Sequence, residues 1–172
     1  MPRFAAVFTA LLFATAGTAH ADRYVSLGIG KSDLGGGLNQ SFDDTDSGAY
    51  KLSVGQRFGN WALEASLFGS DFIDGLEQES TLSLGVGLKY HFMHTGPLSL
   101  YGMGGLNKTW LNDHTGTGYD LGLGAELGFK MPFAQMAIFA ELAHHETELR
   151  STGTADLDGS IRTAMIGVSV GF

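Results

Sequence analysis

The chain has 172 residues, of which 18 are acidic and 10 are basic, so its formal charge is −8 at pH 7. This negative charge argues against nucleic acid as a partner. Cysteine is absent, which excludes disulfides and thiolate metal sites. The 26 glycines follow no collagen period and prolines number only 3, a composition that indicates crowded β-strands.

The first 21 residues have the features of a secretory signal peptide. Arg3 provides a positive charge, residues 4–16 form an apolar run, and Ala19-His20-Ala21 resembles a cleavage site. The run is shorter than the ~20 residues that a transmembrane helix requires. We therefore expect residues 1–21 to be removed and residues 22–172 to form one domain. That domain contains no run long enough for a helical span, so it can enter a membrane only as a closed barrel.

Eight segments of this domain alternate apolar with small or polar residues, which predicts eight strands. The alternation is clearest in the second, fourth and sixth segments, where Leu, Val and aromatic residues oppose Gly, Ser, Thr and charged residues. In the fifth segment, Leu100 and Tyr101 compete for the apolar face. The predicted strands are residues 23–31, 49–58, 61–70, 80–92, 98–109, 118–130, 134–148 and 160–172.

The connections between these segments alternate in length. Those after the second, fourth and sixth segments are short, around Gly59-Asn60, residues 94–97 and Pro132. The others are longer and rich in acidic and hydroxyl residues. Short turns at one end and long loops at the other are typical of outer-membrane barrels, whose turns face the periplasm.

The charges on the polar faces indicate which face is interior. Four acids and four bases lie there, with His91 and His145 nearby. The interior of an eight-stranded barrel is filled by side chains, and buried charges must be paired, so this balance predicts a polar interior and an apolar exterior. A soluble lipocalin-type barrel, apolar inside, is the alternative. The charged residues are Glu64, Asp120, Glu126, Glu141, Lys51, Arg57, Lys89 and Lys130.

The aromatic residues are predicted to form a belt at each membrane interface. The core of a β-sandwich is the alternative, but it does not account for the signal peptide, the turn alternation and the terminal strand together. The periplasmic belt comprises Phe58, Trp61, Tyr90, Phe92, Phe129, Phe133 and Phe172, and the outer belt comprises Tyr50, Trp110 and Tyr119.

Over nearly all of residues 22–172 the chain resembles the small OmpA-like and OmpX-like outer-membrane barrels. The resemblance is carried by Tyr24-Val25-Ser26-Leu27-Gly28-Ile29-Gly30, Leu63-Glu64-Ala65-Ser66, Leu100-Tyr101-Gly102-Met103-Gly104-Gly105-Leu106, Ala140-Glu141-Leu142 and Ile166-Gly167-Val168-Ser169-Val170-Gly171-Phe172. It implies an all-β fold, an eight-stranded antiparallel up-and-down transmembrane β-barrel, in a Gram-negative outer membrane. It also implies that the barrel-assembly machinery reads the C-terminal strand ending at Phe172. The peptidoglycan-binding domain of full OmpA-type proteins is not expected.

The outer connections contain a candidate cation site. Asp43-Asp44-Thr45-Asp46 offers oxygen ligands for a divalent ion but lacks the spacing of a calcium loop, so a solvated acidic loop is favoured. Calcium or magnesium could also bridge the outer acids diffusely to lipopolysaccharide phosphates. These further acids are Asp71, Asp74, Glu77, Glu79, Glu146, Glu148, Asp156 and Asp158.

A second candidate is His144-His145-Glu146-Thr147-Glu148, where alternation places His145 and Thr147 on one face. It resembles the histidine and serine, two residues apart, of lipid A deacylase barrels. Threonine replaces the nucleophilic serine at residue 147, so polar rim and lumen residues are the favoured interpretation. Arg162 either faces lipid, where its charge could reach lipopolysaccharide phosphate, or lies in the last loop.

The predicted function is a structural or surface-interaction role (adhesion, envelope integrity or host-factor resistance) carried by acidic outer loops. No catalytic residue, cofactor or resident metal is expected. The expected partners are outer-membrane lipid, lipopolysaccharide, the barrel-assembly machinery and a host or surface ligand. The alternatives are a narrow pore, which Phe68, Phe139 and Met165 would obstruct, and a lipid A-modifying enzyme.

Overall fold

The computed structural model describes residues 22–36, 46–74, 77–111, 114–131, 134–150 and 157–172. Eight antiparallel strands pair in chain order and close into a barrel, which confirms the predicted fold class. No helix of the described residues is long and apolar enough to cross a membrane. The strands are β1 (Asp22–Gly36), β2 (Asp46–Phe58), β3 (Trp61–Asp74), β4 (Glu77–Thr95), β5 (Leu98–Leu111), β6 (His114–Lys130), β7 (Gln135–Arg150) and β8 (Leu157–Gly171).

The residues that alternate along each strand lie on opposite faces of the barrel wall, one facing the lumen and the other facing outward. Leu27, Val86 and Leu123 are more than half exposed on the outer surface, whereas Ser26, Lys89 and Glu141, which have the opposite parity in their strands, are buried. Tyr101 is 1% exposed and faces inward, so the ambiguity in the fifth strand is resolved in favour of Leu100 outside. Large apolar side chains on the outer wall, with lysines, carboxylates and serines buried inside, exclude the lipocalin-type arrangement.

The strand register fixes the shape of the barrel. Following paired residues from Tyr24 through all eight strands leads back to β1 at Leu34, ten residues further along the strand. For eight strands, this stagger corresponds to a tilt of about 43° from the barrel axis. A row of paired residues therefore climbs steadily as it passes from strand to strand around the wall.

The hairpins differ at the two ends of the barrel. At the end predicted to face the periplasm, called the periplasmic end below, Gly59 (φ 61°) and Gly96 (φ 60°) supply the left-handed conformation that the tight turns need. At the outer end, β3 and β4 pair as far as Asp74 and Glu77, and β5 and β6 as far as Leu111 and His114.

The expectation of long loops after the third and fifth strands was therefore wrong. These strands continue past the predicted ends because pairing requires only backbone hydrogen bonds. Beyond the membrane neither face has to be apolar, so the alternation that marks a strand in the sequence is lost there.

The chain terminus closes the barrel. The backbone N–H of Phe172 donates to the carbonyl of Arg23 at 2.8 Å, and the N–H of Arg23 donates to the carbonyl of Phe172 at 3.3 Å. Pairing then continues from Tyr24 and Gly171 up to Gly36 and Gly159. The alternating terminal segment thus supplies the last ladder of the sheet.

Candidate functional sites: the barrel interior and the outer rim

Four charged side chains form a closed ring at mid-height in the lumen. Lys51 Nζ lies 3.3 Å from Glu64 Oε1 and 2.7 Å from Glu141 Oε1. Lys89 Nζ lies 2.7 Å from Glu64 Oε2 and 3.5 Å from Glu141 Oε2. Each charge contacts both charges of opposite sign, and the four residues come from β2, β3, β4 and β7. The ring has no net charge, which is the condition under which a narrow interior can hold ions.

Two tyrosines complete the ring. Tyr24 donates to Glu64 Oε2 at 2.9 Å and Tyr101 donates to Glu141 Oε2 at 3.1 Å. Lys89 Nζ also lies 4.9 Å above the centre of the Tyr101 ring, within cation–π range. Both carboxylates are therefore satisfied by lysines and hydroxyls, so the network has little capacity left to bind a ligand.

A second charged layer lies below the ring, toward the periplasmic end. Arg57 forms an ion pair with Glu126, and its Nη2 donates to His91 Nε2 at 3.0 Å. His91 Nδ1 in turn lies 3.3 Å from the carbonyl of Asn60, in the first tight turn. Lys130, the fourth predicted interior base, is exposed at the end of β6 and takes no part in the ion pairs found among the described residues.

A third layer lies above the ring. His145 Nδ1 donates to Asp120 Oδ1 at 2.7 Å, and this tautomer lets Nε2 accept from the hydroxyl of Thr163 at 3.3 Å. Asn107 Nδ2 also donates to Asp120, and the ring of Phe68 stacks on the His145 imidazole with centroids 4.9 Å apart. These contacts hold His145 from three sides.

The lumen ends in an apolar cluster near the outer mouth. Its members face inward and are at most 5% exposed: Leu34, Ala49, Phe68, Leu111, Ile161 and Met165. The cluster reaches down beside the charged layers, because Phe68 stacks on His145 and Met165 pairs with Glu141. A cavity of about 30 Å³ beside Lys51, Glu64 and Lys89 has room for about one water. Phe68, Phe139 and Met165, which were expected to obstruct the interior, are all buried in the lumen.

The histidine cluster near the outer end of β7 divides between the two faces, as alternation predicts. His144 Nε2 donates to Glu146 Oε2 at 3.0 Å on the outer surface. Thr147 is buried inside and donates to Asn107 Oδ1 at 3.3 Å, while His145 is engaged with Asp120 and Thr163. His145 and Thr147 therefore have different partners, and the base–nucleophile pair that a deacylase-like site requires is not assembled.

Two further sequence candidates are the acidic segments of the outer connections and Arg162. Residues 43–45 lie outside the described residues, as does Phe133, and the described part contains no group of three or more metal-ligating side chains. Cation binding by the outer acids stays a prediction, which a magnesium titration of thermal stability tests. Arg162 lies within β8 on the exposed outer face, so the alternative of a loop position was wrong.

Sequence reasoning missed several polar residues of the interior. Tyr24, Asn107 and Thr163 were not predicted to contact the charged groups, although each falls on the polar parity of its strand. Their odd or even position along the strand could therefore have identified them as interior residues. Which side chains meet across the lumen depends on register and stagger, and a single strand does not encode these.

The outer surface defines the class of protein. An aliphatic band that includes Leu106 (72% exposed), Leu142 and Ile166 surrounds a polar, charge-paired interior. Exposed aromatics border this band: Phe58, Trp61, Tyr90, Phe92, Phe129 and Phe172 toward the tight turns, and Tyr50 and Tyr119 toward the outer end. An inside-out barrel of this kind is an integral membrane β-barrel.

The chain belongs to the family described as outer membrane protein beta-barrel domain, whose model matches residues 4–172. It is therefore an outer-membrane β-barrel. No curated protein sequence matches it.

Several solved structures share the fold. Neisserial surface protein A (NspA) is similar at 16% identity with a TM-score of 0.65, covering 90% of this chain and 100% of NspA. Ail, the attachment invasion locus protein of Yersinia pestis, is 15% identical with a TM-score of 0.51 and the same coverage. A major outer membrane protein from Thermus thermophilus is 11% identical with a TM-score of 0.50, again over 90% and 100%.

Proposed function

We propose that this barrel has a structural or surface-interaction role in a Gram-negative envelope, such as adhesion, envelope integrity or host-factor resistance. The observation that carries the proposal is the filled lumen. Three polar layers and the apolar cluster near the outer mouth occupy the interior along its length. A wall of paired strands around such a core is a scaffold, and recognition is then left to the outer ends of the hairpins.

The chemistry of those outer ends supports contact with a cationic or cation-bridged partner. Asp71, Asp74, Glu77 and Glu79 all belong to the outer ends of β3 and β4, which pair up to the tip of the hairpin. The names of NspA, a surface protein, and of Ail, an attachment invasion locus protein, point to the same class of role for this chain.

The proposal includes export and assembly. Cleavage after Ala21 would leave Asp22 as the first residue, and β1 begins at Asp22. The C-terminal strand would be recognised by the barrel-assembly machinery, and its terminal Phe172 is 71% exposed on the membrane side of the barrel. Sequencing the N-terminus of the mature protein tests the cleavage site.

A strain that lacks the gene tests the role. We expect reduced attachment to host cells or reduced survival in serum, with wild-type protein restoring the property. A variant carrying Asp71→Asn, Asp74→Asn, Glu77→Gln and Glu79→Gln should reach the outer membrane, shift its mobility in SDS on boiling, and fail to restore it.

Two results would contradict the proposal. A change in the mass spectrum of lipid A on deletion of the gene would support the enzyme alternative. If the neutralised variant fully restores attachment or serum survival, the acidic residues of the β3–β4 hairpin are not needed for the role.

A further inference from the structure

We propose that the outer wall of the barrel binds one lipid A-type phosphoglycolipid, with two acyl chains in adjacent apolar grooves and a phosphate between Lys31 and Arg162. This inference rests on the outer-membrane location and makes specific the lipopolysaccharide partner that the sequence predicts.

The first groove has a volume of about 960 Å³ and lies between two rows of paired, outward-facing residues. One row passes from Trp61 through Gly102 and Leu123 toward Lys31. The other row passes from Leu88 through Gly104 to Arg162. The groove is open over β5 because both outward residues there, Gly102 and Gly104, have no side chain.

The second groove, of about 620 Å³, lies directly below the first. Its floor consists of the small outward-facing residues Ala125, Ala140 and Ala164. The side chains of Leu123 and Leu142 line both grooves and form the ridge between them. Two adjacent apolar grooves separated by a single ridge match two acyl chains of one lipid better than they match a flat protein partner.

Two cationic side chains lie where the grooves approach the outer end of the barrel. Arg162 lines the first groove and Lys31 lines the second. They are diagonal neighbours on β8 and β1, because Lys31 pairs with Ala164 and Arg162 pairs with Asp33. Diagonal neighbours on one face lie about 7–8 Å apart at the backbone, so both long side chains can reach a single phosphate.

The height of these cations fits the headgroup region. Lys31 is two residues above Ile29, which pairs with the belt residue Tyr50. Aromatic belts mark the level of lipid headgroups. A guanidinium and an ammonium at that level complement a phosphate, since arginine binds its oxygens in a bidentate way.

The nearby acids leave both cations available. Glu146 accepts the hydrogen bond of His144. Asp33 is the cross-strand partner of Arg162, but the two exposed side chains are not within ion-pair distance of each other. Among the described residues, neither Lys31 nor Arg162 takes part in an ion pair.

Native mass spectrometry of the refolded barrel in uncharged detergent tests the inference. With bis-phosphorylated lipid A as the probe, we expect one lipid per barrel. Dephosphorylated lipid A should bind at least tenfold more weakly, and inorganic phosphate alone should not bind at the same concentration. Equal binding of the two lipids, or tight binding of inorganic phosphate alone, would overturn the inference.

Variants separate the two parts of the site. Lys31→Ala with Arg162→Ala should weaken lipid A binding at least tenfold. Gly104→Leu should also weaken it by filling the first groove, and the added Cβ would meet only Leu121 Cδ2 at 3.4 Å and a backbone oxygen at 3.7 Å. Lys108→Ala is the matched control, because Lys108 is an exposed lysine on the outer half of β5, its Nζ 5.4 Å from the centre of the Trp110 ring.

Every variant must show the heat-dependent mobility shift of a folded barrel. If Lys108→Ala weakens binding as much as the double variant, or if Gly104→Leu and the double variant bind like wild type, the site is wrong. The proposed surface role is tested separately in cells, because it can fail while the purified barrel still binds lipid A.

Discussion

At the scale of single residues, ion pairs between buried side chains of opposite charge stabilise the interior of the barrel. Glu141 has a side chain only 1% exposed and accepts contacts from Lys51, Lys89 and Tyr101. Burying one ion costs several kcal/mol, and the cost is offset only when each charge has well-placed partners. The closed ring meets this requirement, and loss of one member leaves an excess charge in a space that water hardly enters.

Replacing Glu141 by glutamine should destabilise the barrel by about 3 kcal/mol, because Lys51 and Lys89 would then share only Glu64. Urea unfolding in lipid vesicles, followed by fluorescence of the two tryptophans, measures this loss. Asp33→Asn is the control, since Asp33 is exposed on the outer face, and it should change the free energy of unfolding by less than about 0.5 kcal/mol.

A double variant tests whether net charge is the cause. Lys51→Met combined with Glu141→Gln leaves the neutral pair of Lys89 and Glu64, so it should recover at least half of the lost stability. If the double variant is less stable than Glu141→Gln alone, the hydrogen-bonding geometry of the ring, and not its neutrality, governs stability.

At the scale of elements, aromatic rings of one strand lie over glycines of the next. A Cβ added at Gly124 of β6 would fall on the ring of Tyr101 in β5, and one added at Gly55 of β2 would fall on the ring of Tyr24 in β1. Glycine is needed at both positions because a tyrosine ring lies directly over each. Tyr101 and Tyr24 in turn donate to Glu141 and Glu64, the two carboxylates of the charged ring. These two glycines therefore make room for the tyrosines of the polar network.

Gly124→Val should displace the Tyr101 ring, free one acceptor of Glu141 and destabilise the barrel by about 2 kcal/mol, a typical cost of overpacking. Thermal unfolding monitored by circular dichroism measures the change. Gly104→Ala is the matched control, because an added Cβ there makes an ordinary contact of 3.4 Å with Leu121 on the outer wall. Equal losses in both variants would show that strand glycines act through the backbone alone.

The strands themselves show how far the sequence can be interpreted. Across the membrane the alternation in β2, β4 and β6 predicted the correct faces, because one side meets lipid and the other meets the lumen. Above the membrane it predicted loops where β3 and β4 continue to Asp74 and Glu77. No difference in environment distinguishes the two faces there, so the sequence carries no period to detect.

At the scale of the whole molecule, the barrel is a closed wall around a filled lumen. The apolar cluster in the outer half of the lumen and the charged layers together leave a cavity of about 30 Å³ beside the ring and a vestibule of about 240 Å³ at the periplasmic end. An ion crossing this interior would have to displace paired charges.

Planar-bilayer recordings of the purified barrel should therefore show no large, stable single-channel steps. A barrel with a water-filled lumen, inserted into the same bilayers, is the positive control. Large steps from the wild-type protein would show that the ion-pair layers open, and the narrow-pore alternative would become the leading function.

The sequence by itself determined the class of fold, the inward and outward faces of the membrane-spanning strands, and the residue types of the interior. These follow from a local period of two imposed by lipid on one side and a crowded lumen on the other. Only the tertiary structure decided that Lys51 and Lys89 share Glu64 and Glu141, that His145 pairs with Asp120 and Thr163, and that Lys31 and Arg162 stand above neighbouring grooves. The reason is that such contacts join different strands. They depend on a stagger of ten residues around the closed barrel, a property of the whole sheet that no single segment encodes.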